Sequence, residues 1–147
     1  MTRPTIIPHL TVTPAAEAIV FYTKVFKATE NMRRMAEDGK RILHCELHFA
    51  DGVVMLADAF PEHGHSQNAP LAKLPPLAKP APLANLSPVT ISIDMPTAAD
   101  VNSCTARAIG MGAVAETGPV DTFWGTRFAK FRDPYGHRWM MNAPLDM

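Results

Sequence analysis

The chain has 147 residues, 47% of them hydrophobic, and its fourteen basic side chains balance fourteen acidic ones. This length and hydrophobic content predict a folded chain with a substantial core rather than a disordered one. A balanced charge without a basic run gives no electrostatic reason to expect a nucleic-acid partner. Cys45 and Cys104 are too few for a disulfide framework and indicate buried thiols of a cytoplasmic protein. No stretch approaches the ~20 apolar residues of a membrane span, so we expect no membrane partner.

The first sixty residues are predicted to form a strand, a helix and three further strands. Residues 6–12 alternate apolar and polar side chains, as in a strand with one buried face. Thr13 resembles a helix N-cap followed by Pro14 at the first helical position, and an apolar stripe continues to Phe26. The three strands are predicted over residues 30–37, 41–49 and 53–57, the last two joined by an Asp-Gly turn.

Residues 88–143 repeat this order of elements. Alternation after Pro88 predicts a strand, and Thr97 with Asp100 has the spacing of a capping box that opens a helix. A polar strand over residues 113–122 precedes two strands over 127–132 and 137–141. Asp-Pro-Tyr-Gly between these two strands is typical of a tight turn. The repetition suggests an internal duplication and predicts an α+β protein of two βαβββ modules.

A proline-rich insertion over residues 61–87 separates the two halves. Pro-Leu-Ala recurs at Pro70, Pro76 and Pro82, and six residues make two turns of a polyproline II helix. One interpretation is a flexible linker. The other is an extended arm over residues 70–86 whose leucines are buried by a second subunit. If the arm packed only on its own subunit, the free energy from burying its leucines would about equal the entropy cost of ordering it. On the second interpretation we expect a homodimer.

Three stretches carry a family resemblance: IIPHLTVTPAAEAIVFYTKVF, RILHCELHFADGVVMLADAFPE and FWGTRFAKFRDPYGHRWMM. They resemble the vicinal oxygen chelate superfamily, which includes glyoxalase I, bleomycin-resistance proteins, fosfomycin-resistance enzymes and extradiol dioxygenases. Within it the chain looks most like the PhnB-like proteins. The resemblance implies a single domain over residues 1–147. In it, modules at 4–60 and 88–143 form curved sheets around a cleft, and 61–87 are inserted between them. The positions that carry it are Phe21-Tyr22, His44, Asp58, Trp124-Gly125 and residues 133–139.

The resemblance also implies metal ligands on the first and last strands of each module. Those positions fall on Ile7, Met55, Pro88 and Met140, none of which is a good ligand for a divalent metal. A shift of two residues would bring His9 into the first-strand position but would leave the methionines without good neighbours. We therefore expect no cofactor and no stoichiometric transition metal.

The sheet faces that point away from the helices supply the candidate ligand site. Met55 and Met140 are predicted to form an apolar floor with Trp124 at its rim, which suits a small amphipathic molecule. No catalytic residue is assigned. The predicted ligand-cleft residues are His9, Thr11, His44, Glu46, His48, Met55, Ser92, Trp124, Phe128, Lys130 and Met140.

The run His44-Cys45-Glu46-Leu47-His48 leaves three interpretations open. Residues two apart on a strand lie ~6.6 Å from each other on one face. Two of these side chains, with His9 from a neighbouring strand, are therefore candidates for a displaced zinc, nickel, iron or manganese site. A second interpretation is that they are satisfied polar groups on a half-exposed strand. The third interpretation is proton transfer or anion binding without metal.

Three functions follow from these alternatives. The first is a protein of the PhnB-like kind that binds a small organic molecule in a cleft without the usual divalent metal. The second is a metal-dependent lyase, isomerase or dioxygenase that uses the displaced site at His9, His44, Glu46 and His48. The third is an interaction module that works through the proline-rich arm.

Overall fold

A computed structural model describes residues 3–60, 62 and 88–145. The chain divides into two compact units, residues 1–73 and 74–147, with the division inside the predicted insertion. The predicted arm over residues 70–86 lies outside the described part of the chain. The first unit contains β1 (His9–Thr11), α1 (Ala15–Phe26), β2 (Thr29–Met35), β3 (Ile42–Phe49) and β4 (Gly52–Ala57).

The sheet of the first unit has the order β1-β4-β3-β2, with β1 parallel to β4 and the other neighbours antiparallel. Helix α1 packs on β2 and β3. Leu10, Cys45, Leu47 and Leu56 are buried, as expected for the face beneath the helix. The opposite face therefore carries the polar side chains of β3.

The second unit repeats this topology. It contains β5 (Thr90–Asp94), α2 (Ala98–Gly110), β6 (Val114–Asp121), β7 (Thr126–Arg132) and β8 (Arg138–Pro144), in the sheet order β5-β8-β7-β6. Strand β5 is parallel to β8, and β6, β7 and β8 are antiparallel neighbours. The predicted α+β architecture of two βαβββ modules is confirmed.

Helix α1 begins differently from the prediction. Its N-cap is Pro14, which has no side chain able to accept a hydrogen bond, so Thr13 is not the cap. Asp58, the residue after β4, caps the helix instead. Its Oδ1 accepts a hydrogen bond from the backbone N–H of Ala15 at 2.9 Å, and its Oδ2 accepts one from the backbone N–H of Ile42 at 2.7 Å. A buried carboxylate thus joins the start of α1 to the start of β3.

Helix α2 begins as predicted. Thr97 Oγ1 accepts from the backbone N–H of Asp100, and the Asp100 carboxylate accepts from that of Thr97, which completes the capping box. Helical spacing from the buried Val101 and Thr105 would also bury Ile109, but Ile109 is 47% exposed near the helix end. Neither helix is long and apolar enough to cross a bilayer, and no other helix occurs in the described ranges.

The start of β3 corrects a predicted alternation. Regular alternation with Cys45 and Leu47 would place Leu43 beneath the helix and Ile42 on the opposite face, but Leu43 is 52% exposed and Ile42 is completely buried. The pairing with β2 shifts here, since Arg34 pairs with His44 and the next residue, Met35, pairs with Ile42. A β-bulge at Leu43 reverses the side-chain order, which alternation alone does not reveal.

The predicted turn between β7 and β8 is organised by the buried carboxylate of Asp133. Its Oδ1 accepts from the backbone N–H groups of Tyr135 and His137 at 2.8 and 3.0 Å. Its Oδ2 accepts from the indole Nε1–H of Trp139 at 2.8 Å. The turn is therefore fixed to the largest core side chain of its unit.

Both cysteines are buried and free, as predicted. Burial raises the pKa of the Cys45 thiol to about 11, assisted by the nearby Glu30 carboxylate. Burial also raises the pKa of the Cys104 thiol to about 11. Protonated thiols of this kind are poor nucleophiles, so neither cysteine is a candidate catalytic group.

Candidate ligand-binding site

Each unit carries one row of side chains across the sheet face opposite its helix. In the first unit, the strand registers place His9 beside Met55, Met55 beside Glu46, and Glu46 beside Asn31. Cross-strand partners point to the same face. We call His9, Met55, Glu46 and Asn31 row one.

The second unit has an equivalent row. Ser92 pairs with Met140, Met140 with Lys130, and Lys130 with Thr117. We call these four residues row two. A methionine from the last strand lies in the corresponding place of each row, and Glu46 of row one corresponds to Lys130 of row two.

The registers also decide which first-strand residues lie level with the methionines. They are His9 and Ser92, whereas Ile7 and Pro88 precede the strands β1 and β5. A shift of two residues brings His9 level with Met55, but in the second unit it brings Thr90, not Ser92, into the first-strand position. The metal-ligand positions implied by the resemblance stay a prediction. The neighbours of Met55 and Met140 on the adjoining antiparallel strands are Glu46 and Lys130.

Glu46 is the centre of a polar group in row one. The Arg3 guanidinium donates from Nη1 to Oε1 at 3.1 Å and from Nη2 to Oε2 at 2.6 Å, a two-point contact with both carboxylate oxygens. The Glu46 side chain is only 5% exposed, whereas that of Arg3 is 49% exposed. Arg3 therefore covers a carboxylate that would otherwise face solvent.

Two imidazoles flank the same carboxylate. His44 Nε2 lies 3.6 Å from Oε2, and His48 Nε2 lies 3.4 Å from Oε1 and 3.5 Å from the side-chain nitrogen of Asn31. The Arg3 hydrogen bonds, with smaller contributions from the imidazoles, lower the pKa of Glu46 to about 2 against the opposing effect of burial. We call Arg3, Asn31, His44, Glu46 and His48 the Glu46 cluster.

The Glu46 cluster is occupied by a cation of the protein itself. Among residues 3–60, 62 and 88–145, no three His, Cys, Asp or Glu side chains are arranged to hold a metal ion. Glu46 with His44 and His48 would offer a carboxylate and two imidazoles to a metal only if Arg3 withdrew. The expectation of a metal-free protein stays a prediction.

A hollow of about 210 Å³ lies beside the Glu46 cluster. Arg3 and His48 belong to both, and the β3–β4 turn closes the other side. The hollow is small compared with a drug-sized site. Its lining residues are Arg3, Pro4, His48, Ala50, Asp51, Gly52 and Val53.

The second unit has an aromatic edge. Phe123 and Trp124, in the β6–β7 turn, are 96% and 57% exposed, and their rings meet edge to face with centroids 4.9 Å apart. The Trp124 ring lies 6.4 Å from that of Phe128, two residues before Lys130 on β7. The predicted position of Trp124 at the rim of a ligand cleft stays a prediction.

Charged side chains surround row two. Arg138 forms an ion pair with Glu116, with Nε 3.1 Å from Oε1, and donates from Nη2 to Oε2 at 3.2 Å. Arg132 pairs with Arg138 across the strands, so both belong to this face. Arg132 is only 2% exposed, and its Nη1 has no hydrogen-bond partner among the described residues.

The eleven predicted ligand-cleft residues therefore divide between the two units. Sequence reasoning missed Arg3, which lies outside any strand and 43 residues from its partner, so no local pattern indicates it. Arg132 was assigned to a strand without a role, although an arginine two residues from Lys130 on the same face was a usable signal. His9, Thr11, His44, Glu46, His48 and Met55 lie in the first unit; Ser92, Trp124, Phe128, Lys130 and Met140 lie in the second.

Comparison with known proteins agrees with this architecture. A sequence model of the Glyoxalase/Bleomycin resistance protein/Dioxygenase superfamily matches residues 6–141. An uncharacterised protein of Mycobacterium bovis, Mb0911c, is 35% identical over 143 residues, which are 97% of this chain and 85% of the relative.

Solved structures share the fold at low sequence identity. The crystal structure of PA1353 from Pseudomonas aeruginosa has a TM-score of 0.72 at 20% identity and covers 97% of this chain and 99% of its own. TioX from Micromonospora sp. ML1 has a TM-score of 0.65 at 21% identity, with 97% and 99% covered. The fosfomycin resistance protein FosX from Listeria monocytogenes, in complex with Mn(II) and sulfate, has a TM-score of 0.63 at 13% identity, with 97% and 93% covered.

Proposed function

Because this chain belongs to the glyoxalase/bleomycin resistance/dioxygenase superfamily, we propose that it binds a small organic molecule on its sheet faces without a divalent metal. Within the superfamily we place it in the PhnB-like group, on the resemblance of its three matching stretches. A protein of this kind acts by holding its ligand, as a resistance protein does when it sequesters a toxic compound.

The two-point contact between Arg3 and Glu46 carries this proposal. Glu46 is the only carboxylate in the two rows, and a guanidinium already binds both of its oxygens. The other central side chains, Met55 and Met140, are poor ligands for hard or borderline divalent ions. They are adaptable apolar surfaces, which is what an organic ligand requires.

Trp124 provides the test. The chain has two tryptophans, and only Trp124 is exposed, since Trp139 is completely buried. We expect metal-free bleomycin or fosfomycin, the compound classes named for relatives, to change the fluorescence of untagged protein in the presence of EDTA. Trp124→Phe should abolish the change. Binding that appears only after a divalent metal is added would contradict the proposal.

The second candidate is a metal-dependent lyase, isomerase or dioxygenase. The position of His44 and His48 on either side of Glu46 favours it, because a carboxylate and two imidazoles can hold zinc, nickel, iron or manganese. Metal analysis of the untagged protein decides between the candidates. About one metal per chain, lost in His44→Ala, would establish the second candidate and exclude the first.

The homodimer and the cytoplasmic location remain proposals that rest on the sequence. Light scattering at dilute concentration tests the dimer, and a monomer mass would refute it. Deleting residues 70–86 tests the interaction module: loss of assembly with ligand binding retained would assign the arm to assembly rather than to the ligand.

A further inference from the structure

We infer that the sheet face of the second unit binds an aromatic carboxylate, with Lys130 and Arg132 holding the carboxylate and the Trp124 edge holding the ring. This inference names the ligand class for the proposed function and rests on it. Three observations carry it: a buried guanidinium without a partner, a second cation beside it, and aromatic rings at Phe128 on the same strand and at Trp124 in the turn before it.

Arg132 is the first observation. A buried guanidinium nitrogen without a hydrogen bond is unusual, because desolvating a charged group costs free energy that a partner normally offsets. Glu116, a carboxylate on this face, is already engaged by Arg138. Asp133, the next residue in the chain, directs its carboxylate to Tyr135, His137 and Trp139. No described residue therefore supplies an anion to the Arg132 guanidinium.

Lys130 is the second observation. It lies two residues from Arg132 on the same face of β7 and is half-buried beside Met140. Its side chain makes no ion pair with the described residues, which include Glu116 and Asp94, the two carboxylates named on this face. Two cations at i and i+2 without a carboxylate of their own favour an anionic ligand.

The aromatic edge is the third observation. Phe128 lies two residues before Lys130 on β7 and on the same face. The Trp124 ring packs against the Phe128 ring. Residues two apart on a strand are separated by ~6.6 Å. A ligand whose carboxylate reaches Lys130 and Arg132 would thus place a ring at Phe128 and Trp124, about 7–10 Å away. Exposed aromatic side chains favour flat apolar groups.

Two probes of the same shape test the inference. 2-Naphthoate carries the carboxylate, and 2-naphthamide replaces it with a neutral amide. We expect the full chain, with EDTA present, to bind naphthoate about tenfold more tightly, as a charge-assisted contact predicts. In a ¹H–¹⁵N spectrum the Trp124 indole signal should shift, while that of Trp139, bound to Asp133, stays in place.

The variants separate a binding role from a structural one. Lys130→Met and Arg132→Met should each remove the preference for naphthoate, and Lys130→Arg should keep it. Arg132→Met should unfold at the same or a higher temperature, because it removes a buried charge without a partner. Lys24→Met, an exposed position on α1 of the first unit, is the matched control and should bind as the unaltered chain does.

Three results would overturn the inference. Equal affinity for the two probes would do so while leaving the proposed metal-free binding intact. Unchanged naphthoate binding in both methionine variants would place the anion elsewhere. A large fall in the unfolding temperature of Arg132→Met would assign Arg132 to the fold. Binding of either probe only with added Zn²⁺ would instead refute the proposed function itself.

Discussion

The Arg3 guanidinium and the Glu46 carboxylate meet through two hydrogen bonds across 43 residues of chain. One partner is half-exposed and precedes the first strand; the other is buried in the middle of a sheet. The contact holds the segment before β1 over the sheet face and gives the Glu46 carboxylate a cationic partner that is always charged.

Arg3→Met should raise the pKa of Glu46 from about 2 toward its ordinary value of 4.5, because the Arg3 hydrogen bonds are the largest cause of the depression. A lowered folded-state pKa stabilises the protein above the ordinary value, and that stability is lost as the pH falls from 4.5 to 2. The free energy of unfolding of Arg3→Met should therefore lie below that of the unaltered chain at pH 6, with the gap closing toward pH 2. Urea unfolding at several pH values measures it.

Arg33→Met is the control for this experiment. Arg33 pairs with Glu30 at the surface of the same unit, where an ion pair contributes little. Its effect on unfolding should be small and nearly independent of pH. If both variants lost the same free energy of unfolding with the same pH dependence, the Arg3–Glu46 contact would stabilise the protein no more than a surface ion pair.

Asp58→Ala should destabilise the protein by about 2–3 kcal/mol, since it removes the cap of α1 and leaves the backbone N–H of Ala15 and Ile42 without an acceptor. Thr13→Ala is the comparison, because Thr13 was the predicted cap. Within the described ranges its Oγ1 accepts a single long hydrogen bond, 3.3 Å from the backbone nitrogen of Ala59, and we expect a loss below about 1 kcal/mol. Chemical denaturation measures both losses, and a larger loss in Thr13→Ala than in Asp58→Ala would indicate that Thr13 is the cap.

Asp133→Ala should cost about 3 kcal/mol, because three donors lose their acceptor in a buried turn. Asp133→Asn should cost less, since its carbonyl oxygen can still accept from Tyr135 and His137 while its amide faces the Trp139 N–H. The Trp139 indole signal should then move even where the fold persists. Asp121→Ala, an exposed position in the same unit, should change stability little.

Gly118→Ala should destabilise the protein by about 3 kcal/mol or more, whereas Gly125→Ala should cost about 1–2 kcal/mol. Both glycines have positive φ, +69° and +92°, so both substitutions introduce backbone strain. Only at Gly118 would the new Cβ lie 2.5 Å from the Phe128 carbonyl oxygen, and at Gly125 nothing lies within 4 Å. Thermal unfolding of the two variants separates steric clash from strain; equal losses would contradict this account.

Local patterns in the sequence predicted most of the fold. The capping box at Thr97 and the turn at Asp133 depend on residues close in the chain, and both were predicted correctly. The bulge at Leu43 and the capping of α1 by Asp58 depend on pairing between distant segments, which periodicity does not contain. The candidate site shows the same limit, because alternation selects the face that holds Glu46 but not Arg3, which reaches it from outside the strands.

The correspondence between Glu46 and Lys130 bears on how the two halves can evolve. If the modules arose from one ancestral gene segment, the same site has since acquired opposite charges. A change at Glu46 removes the acceptor of both Arg3 hydrogen bonds, so it also disturbs a second residue. Lys130 has no such dependency among the described residues, and a single mutation can alter it without disturbing a partner. New ligand preferences are therefore more accessible to descendants of this protein through its second half.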